Sequence, residues 1–379
     1  MARPFGVYVH FPYCAHRCPY CDFAVTTEPV PAERRYARAV LAELALRAPA
    51  FAGLSPVSVY LGGGTPSLWE PDEVAEVLVA IRARFGVPEG AEVTIEANPE
   101  SCDRGRLRAL REAGVNRVSV GAQSFDPGVL AKLGRRHGPE AAERAIRAAA
   151  DEVGNASVDL IYGARRSTVA IARADAQRAA AAGAMHVSAY QLTLDPELLA
   201  EQVPLARMLQ AGRLPLPSDE DALRQGSVIR SALRRAGLRR YEISNYARAG
   251  FESVHNRLYW DGESYLGLGA GAYGCLRGEG GALRYGNVRD ARAYVETALA
   301  GRLPTAEEDR IAATPERNER LMLALRTARG VELATLSPRQ AREAAEAVRR
   351  RLAVRRRGRL VLTSRGMDLH SALSERLFE

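Results

Sequence analysis

From residue 5 to about residue 195, short apolar runs alternate with segments whose apolar residues recur at helical spacing. Phe5–Phe11, Val57–Leu61, Glu92–Glu96, Arg117–Val120, Ser157–Tyr162 and His186–Leu192 read as strands. Amphipathic stretches lie between them, clearest over Pro31–Arg47, Asp72–Phe85 and Pro139–Ala150. The first has proline in its opening turn and Leu41, Leu44 and Leu46 inside. Such alternation predicts parallel strands joined by right-handed crossovers. Six units make either a partial TIM-like (β/α)6 barrel or a doubly wound sheet. In both α/β arrangements the carboxyl ends of the strands form the active face.

Further along, a helical pattern over Asp219–Gly237 precedes strand candidates at Tyr241–Tyr246 and Leu258–Trp260. From about residue 305 the pattern turns to helices, Glu316–Arg329 and Pro338–Leu352. A hairpin over Leu352–Thr363 follows, turning near Gly358, and then a last helix from Arg365. The expected division is a core over residues 1–200, a connecting region packed beside it over 201–304, and a winged-helix-like α+β domain over 305–379.

The tails of the predicted strands carry the candidate chemistry. After the first comes Cys14-Ala-His-Arg-Cys18-Pro-Tyr-Cys21, three thiols spaced Cys-x3-Cys-x2-Cys. Soft thiolates suit zinc or iron–sulfur clusters. A zinc knuckle would take His10, His16 or Asp22 as its fourth ligand, but a structural zinc loop usually brings a second Cys/His pair, and the nearest other cysteine is the distant Cys102. Three ligands on a four-iron cube leave one iron open, as a catalytic site requires. The later tails read Leu61-Gly-Gly-Gly-Thr-Pro66, Glu96-Ala-Asn-Pro99, Gly121-Ala-Gln-Ser-Phe125, Asp159-Leu-Ile-Tyr-Gly163 and Tyr190-Gln-Leu-Thr193. The glycine run is expected to expose backbone N–H groups and admit a ligand close to the main chain. Glu96, Gln123, Asp159 or Gln191 alone reads as a helix cap or a satisfied core polar group. At the same end of consecutive strands they describe a polar mouth, because buried polar groups cost free energy unless they meet partners or a ligand. A polar mouth facing the cysteine loop counts against the zinc knuckle.

Composition narrows the setting. The chain has 379 residues, 47% of them hydrophobic and 26% charged, which are the values of a soluble globular protein with one large and one smaller domain. No apolar run approaches the roughly 18–20 residues of a membrane span. The start, Met1-Ala-Arg-Pro-Phe-Gly, lacks the apolar core of a signal peptide, so a cytoplasmic location is expected. Five cysteines, three of them clustered, fit metal binding in a reducing compartment better than a disulfide framework. The net charge of +8 rests almost wholly on arginine, with Lys132 the single lysine. It permits nucleic acid, a membrane surface or a propionate-bearing ligand without choosing among them. Arg349–Arg351 and Arg355–Arg357 are candidates to meet phosphate, but in so arginine-rich a chain nucleic acid is not the favoured partner.

The ordered motifs resemble the radical S-adenosylmethionine (SAM) superfamily, and within it the oxygen-independent coproporphyrinogen III oxidase-like family. The resemblance rests on Tyr8-x-His10-x-Pro12 ahead of Cys14-x3-Cys18-x2-Cys21, the Gly-Gly-Gly-Thr-Pro turn, Glu96-Ala-Asn-Pro, Gly-Ala-Gln123-Ser-Phe, Leu133-Gly-Arg135-Arg-His137 and Asp159-Leu-Ile-Tyr-Gly. It continues through Tyr241–Arg248, His255-Asn-Arg-Leu-Tyr-Trp260, Tyr265–Gly269 and Arg284–Arg289 into the carboxyl-terminal domain. Essentially the whole chain is covered.

The resemblance implies that Cys14, Cys18 and Cys21 bind a [4Fe–4S] cluster whose fourth iron takes the amino and carboxylate groups of SAM. One electron would then split the sulfonium bond and generate a 5′-deoxyadenosyl radical. It further implies that Tyr8, Tyr20, Gly63, Gly64, Thr65, Glu96, Gln123, Arg135 and Asp159 hold SAM, with one or two molecules bound. The oxidase type carries a longer amino-terminal extension and a further cysteine soon after the triplet; here Asp22-Phe23 follows Cys21. That difference, with His255-Asn-x-x-Tyr-Trp260, matches the haem-chaperone branch, which implies a protein that binds haem and delivers it to acceptors, membrane-associated respiratory proteins among them. His255 is then the candidate axial ligand, with Tyr259 and Trp260 packing the macrocycle and His10 a second candidate or a hydrogen-bonded support of the cluster loop. The electron donor implied is of flavodoxin or ferredoxin type. Coproporphyrinogen III dehydrogenase and a radical SAM methyltransferase are the enzymatic alternatives, and whether SAM cleavage serves catalysis stays open at this point. The chain departs from the family at Ala164-Arg-Arg-Ser-Thr168, at Asp195-Pro-Glu-Leu-Leu and at Tyr273, where histidine is common. Arg165 and Arg166 read as a solvated loop or as contacts for an anionic ligand.

Overall fold

Six strands run parallel in sequence order in the computed structural model, which describes residues 3–32, 34–278 and 280–378. They are β1 (Pro4–Phe11), β2 (Ser55–Gly63), β3 (Glu92–Ala97), β4 (Arg117–Gln123), β5 (Ala156–Tyr162) and β6 (His186–Gln191), each hydrogen-bonded to the next. Met1 and Ala2, which open the amino-terminal reading, lie outside the described residues. Helices Arg35–Arg47, Pro71–Phe85, Arg104–Glu112, Pro139–Val153 and Val169–Ala181 make the crossovers.

Side chains alternate across a strand. One face of the sheet carries Val7, Val9, Val59, Leu61, Val93, Ile95, Val118, Val120, Val158 and Leu160, which share a core with Val40, Leu78, Ile81, Leu110 and Ile146 of the helices. The other face carries Tyr60, Glu96, Arg117, Ser119, Asp159 and Ser188, and all six line one cavity. Strands can converge their polar faces in this way only if the sheet curves around them. The result is the expected partial barrel, with its helical layer outside and a polar lumen within.

Beyond residue 200 the chain extends this sheet. β7 (Arg239–Arg240) and β8 (Asn245–Ala247) join the edge at β6; β9 (Ser264–Leu268) pairs in parallel with β1; and β10 (Tyr273–Gly278), β11 (Gly281–Asn287) and β12 (Thr305–Ala312) follow antiparallel. The order is β12-β11-β10-β9-β1-β2-β3-β4-β5-β6-β8-β7. Residues 201–304 therefore supply strands at both edges, and Thr305–Ala312 forms the outermost one.

Two local expectations change. Leu258–Trp260 is not a strand but the end of a helix, Val254–Trp260. Ser253 caps it, and the Glu92 carboxylate accepts the N–H groups of Val254 and His255, both at 2.9 Å. A carboxylate at a helix start outweighs the strand preference of Leu-Tyr-Trp. Tyr241–Tyr246 does not form one strand either, because the Arg240 guanidinium gathers the Glu242 and Ile243 carbonyls into a turn between β7 and β8.

The carboxyl-terminal module has its own core, including Leu325, Ala344, Leu360, Leu362 and Leu377. Helix Ala313–Leu325 leads to β13 (Val331–Glu332), helix Pro338–Arg349 and the hairpin of β14 (Ala353–Arg356) and β15 (Arg359–Leu362). Arg357 and Gly358 both have positive φ, as a two-residue hairpin turn requires. Among the described residues no helix is long and apolar enough to cross a membrane.

Candidate functional site

The loop leaving β1 is shaped by its backbone. Cys14 N–H donates to Thr26 O at 2.9 Å and Thr26 N–H to Pro12 O at 2.8 Å, closing the loop at its neck. The glycine turn after β2 docks underneath, with Gly64 N–H on Phe11 O at 2.8 Å and Thr65 N–H on Tyr13 O at 2.9 Å. A Cβ on Gly64 would stand 2.8 Å from Tyr13 O and 2.9 Å from Phe11 O, so only glycine lets the two loops meet. His10, buried below, bonds Ala24 O through Nε2 at 2.8 Å and Tyr8 OH through Nδ1 at 3.0 Å. Burial lowers its pKa to about 4, so a neutral imidazole supports the loop and offers no free nitrogen to a metal.

Cys14, Cys18 and Cys21 all line the same cavity, of ≈ 400 Å³. Thr65 Oγ1 donates to Cys14 Sγ at 3.5 Å and Arg135 Nη1 to Cys18 Sγ at 3.4 Å. Burial raises the Cys14 thiol and pushes Cys21 up to about 11. Among the described residues, no three of His, Cys, Asp and Glu gather tightly enough to hold a single ion. Three soft thiolates lining one cavity are a donor set that suits an iron–sulfur cluster. The donor set fits the cluster that the resemblance implied.

The polar strand tails complete the cavity. Glu96 accepts Tyr60 OH at 2.8 Å and Gly63 N–H at 2.9 Å. Burial, then the neighbouring Asp159, raises its carboxyl to about 7. Asp159 accepts Ser119 Oγ at 3.1 Å and is likewise raised by burial. Gln123 ends β4 in a left-handed conformation (φ 64°) beyond a register shift, and a Cβ on Gly121 would stand 2.9 Å from its amide nitrogen. The strained bulge folds the Gln123 side chain back across Gly121 into the cavity. Arg135 spans the mouth, with Nη2 on Asn98 Oδ1 at 2.5 Å and on Gly121 O at 3.0 Å.

Of the residues predicted for the site, Tyr20, Gly63, Gly64, Glu96, Gln123, Arg135, Asp159 and the three cysteines line the cavity. Thr65 and Tyr8 sit one layer behind, on Cys14 and His10 respectively. The Gly63 and Gly64 N–H groups are not free for a ligand, since Glu96 and Phe11 O take them. Arg165 and Arg166 do not reach the cavity; Gln225 Oε1 instead ties their loop down through Gly163 N–H and Ser167 Oγ.

His255 is also absent from the lining. It is 1% exposed at the opposite end of the barrel, stacked on Tyr60, with Nδ1 on Ser58 Oγ and Nε2 on Tyr259 OH, both at 2.9 Å. Burial lowers its pKa to about 3. Both ring nitrogens of this neutral imidazole are engaged, so as folded it plugs the floor and leaves no lone pair for an outside iron. Its neighbour Asn256 reaches the cavity instead.

Tyr60, Arg117, Ser119 and Ser188 also belong to the lining, without having been singled out in the sequence, as do Asn98 and Tyr190 from the quoted strand tails. Period-two polarity inside β4, as Arg117-x-Ser119-x-Gly121-x-Gln123, is the signal that finds Arg117 and Ser119.

Comparison with known proteins supplies the remaining findings. Residues 8–170 match the family model described as the Radical SAM superfamily. The chain is 38% identical to the "Heme chaperone HemW" of Mycobacterium tuberculosis (strain ATCC 25618 / H37Rv), over 98% of this chain and 94% of that protein. It is 35% identical to the protein of the same description from Escherichia coli (strain K12), over 77% of this chain and 76% of the relative. Among solved structures, coproporphyrinogen III oxidase (HemN) from Escherichia coli superposes with a TM-score of 0.79 at 20% identity, over 99% of this chain and 90% of that one. That last likeness is one of fold.

Proposed function

Since the chain belongs to the HemW family of the radical SAM superfamily, we propose that it is a haem chaperone, binding haem at the barrel mouth and passing it to acceptor proteins. The single observation carrying this is the 38% identity maintained over 98% of the chain with a haem chaperone, barrel and carboxyl-terminal module included. The cavity supports it, because thiols, carboxylates and guanidinium groups share one open-mouthed space.

Cys14, Cys18 and Cys21 would hold a [4Fe–4S] cluster, which when bound and reduced supplies the electron for cleaving the sulfonium bond of SAM. Glu96 suits the ammonium of the methionine moiety, Asp159 the ribose hydroxyls, and Arg135 a carboxylate. Gln123 orients the ligand from the β4 bulge, Tyr20 covers it, and Gly63, Gly64 and Thr65 form the shelf beneath. Tyr8 steadies that shelf through His10.

Haem would seat outside this layer. Phe23 and Tyr190, 57% and 43% exposed, present aromatic surface at the rim of the cavity, where a macrocycle can stack. Neither His255 nor Tyr259 is available there. We place the protein in the cytoplasm, with an electron donor of flavodoxin or ferredoxin type and with acceptors that include membrane-associated respiratory proteins. Thr305–Ala312 belonging to the main sheet, residues 313–378 are assigned as the winged-helix-like module, serving as lid or docking surface.

The test is haem titration of the anaerobically reconstituted protein, followed by transfer to an apo-acceptor. Wild type and His255→Ala are expected to bind haem alike, while Phe23→Asp weakens binding about tenfold through loss of stacking surface. His255→Ala is expected to lose about 1–3 kcal/mol of stability, because Ser58 and Tyr259 lose their partner. Absence of haem binding by wild type, or stoichiometric formation of protoporphyrinogen from coproporphyrinogen III with SAM, sinks the chaperone assignment.

A further inference from the structure

Gln123 ends β4 in a conformation that a glutamine adopts only at a cost, and the residues around it hold it there. Its φ of 64° lies in the left-handed region, and Ser124 N–H donates to Ala122 O at 2.8 Å. A hydrogen bond closed across one residue at positive φ makes a γ-turn of the rare, strained kind. Such a turn persists only where the surrounding structure fixes its ends.

Buried side chains fix both ends. His137 donates from Nε2 to Ala122 O at 3.0 Å, and its side chain is fully buried. Because a carbonyl only accepts, the imidazole carries its proton on Nε2. Nδ1 has no hydrogen-bond partner and stands 3.8 Å from Glu100. Beyond the turn, the Asp175 carboxylate of helix Val169–Ala181 accepts Ser124 Oγ at 2.7 Å and Phe125 N–H at 2.8 Å. Two residues before His137 in the chain, Arg135 donates to Gly121 O at 3.0 Å. One short segment thus grips two successive carbonyls at the end of β4. Arg135 also lines the cavity, whereas His137 does not. His137 bears on the ligand space only through the peptide it holds.

We propose that His137 is a positioning residue: by holding Ala122 O it keeps the turn closed and Gln123 aimed into the cavity. It rests on the reading of Gln123 as a contact for SAM. Without the bond the left-handed residue returns to the extended region, and its side chain changes direction.

Anaerobic SAM titration of the reconstituted protein, arranged as a double-mutant cycle, tests this. His137→Leu is expected to weaken SAM binding roughly tenfold, as the loss of one buried hydrogen bond predicts. His137→Gln should restore most of that affinity, since its amide reaches where Nε2 does. Gln123→Ala is expected to weaken binding as well, and adding His137→Leu to it should cost nothing further. Additive losses, or unchanged affinity in His137→Leu beside a loss in Gln123→Ala, overturn the proposal and leave His137 a structural residue. Amide exchange over residues 121–125 reads the turn itself and is expected to be faster in His137→Leu and near wild type in His137→Gln. Unchanged exchange in His137→Leu also overturns it. Should His137→Leu fail to fold by circular dichroism, His137→Asn, whose amide is too short to reach Ala122 O, takes its place on the same criteria. Unchanged SAM affinity in Gln123→Ala defeats the reading of Gln123 as a SAM contact, and the exchange measurement still decides whether His137 holds the turn.

Discussion

Glu96 shows how far one carboxylate is governed by its surroundings. Burial and Asp159 raise it to about 7, against the ordinary value of 4.5, although Tyr60 and Gly63 both donate to it. In the ligand-free protein its ionisation is therefore disfavoured, and its contribution to stability is lost as pH rises from about 4.5 through 7. An ammonium ligand reverses the preference. SAM affinity, measured calorimetrically, is expected to fall about tenfold per pH unit below 7, and Glu96→Gln should flatten that profile while weakening binding at pH 8. Gly64 is as demanding in a different way. Gly64→Ala drives a Cβ onto two carbonyl oxygens, so a loss of about 1–3 kcal/mol in unfolding free energy is expected, with weaker cluster retention read from visible absorbance. Glu96 was legible because an apolar run ends on it. Arg117 was not, since a cation at a strand's head reads as solvated until the neighbouring strands enclose it.

At the level of elements, pairing and capping decide what local preference leaves open. Helix Val254–Trp260 forms because Glu92, far away in the chain, caps it, and that same helix carries His255 into the floor. No periodicity in the segment announces a cap donated by β3. The carboxyl-terminal module is fastened through another buried arginine. Arg277 on β10 is 3% exposed and pairs with Glu316 at 2.8 Å and Glu319 at 3.4 Å, and Glu316 also meets Arg320. Removing one partner of such a group leaves buried charge uncompensated, at a cost of about 3–5 kcal/mol. Arg277→Ala is expected to release helix Ala313–Leu325, visible as a separate early melting transition and faster amide exchange confined to residues 313–378. Unchanged exchange there would show that the apolar contacts suffice.

At the scale of the whole molecule, the cysteine loop is held by the fold and does not create it. Its neck hydrogen bonds, and the backbone bonds by which Gly64 and Thr65 dock beneath it, involve no thiol. Removing iron by chelation is therefore expected to leave the far-UV circular dichroism spectrum unchanged and to lower the melting midpoint by only a few degrees. A zinc-finger-like unit would unfold under the same treatment. SAM binding should be lost with the iron.

Taken alone, the chain determined the strand–helix alternation, the cysteine loop, and the polar residues at successive strand tails, because each is a local pattern of period 2, period 3.6 or fixed motif spacing. Tertiary structure decided which polar residues share a cavity and which only support it. Curvature of the sheet brings Cys14, Glu96, Gln123, Arg135 and Asp159 together and turns Arg117 and Asn256 inward from the floor. The same curvature buries His255 between Ser58 and Tyr259. Whether a histidine is a ligand or a plug depends on which residues, distant in sequence, occupy its two nitrogens, and only the folded sheet supplies them.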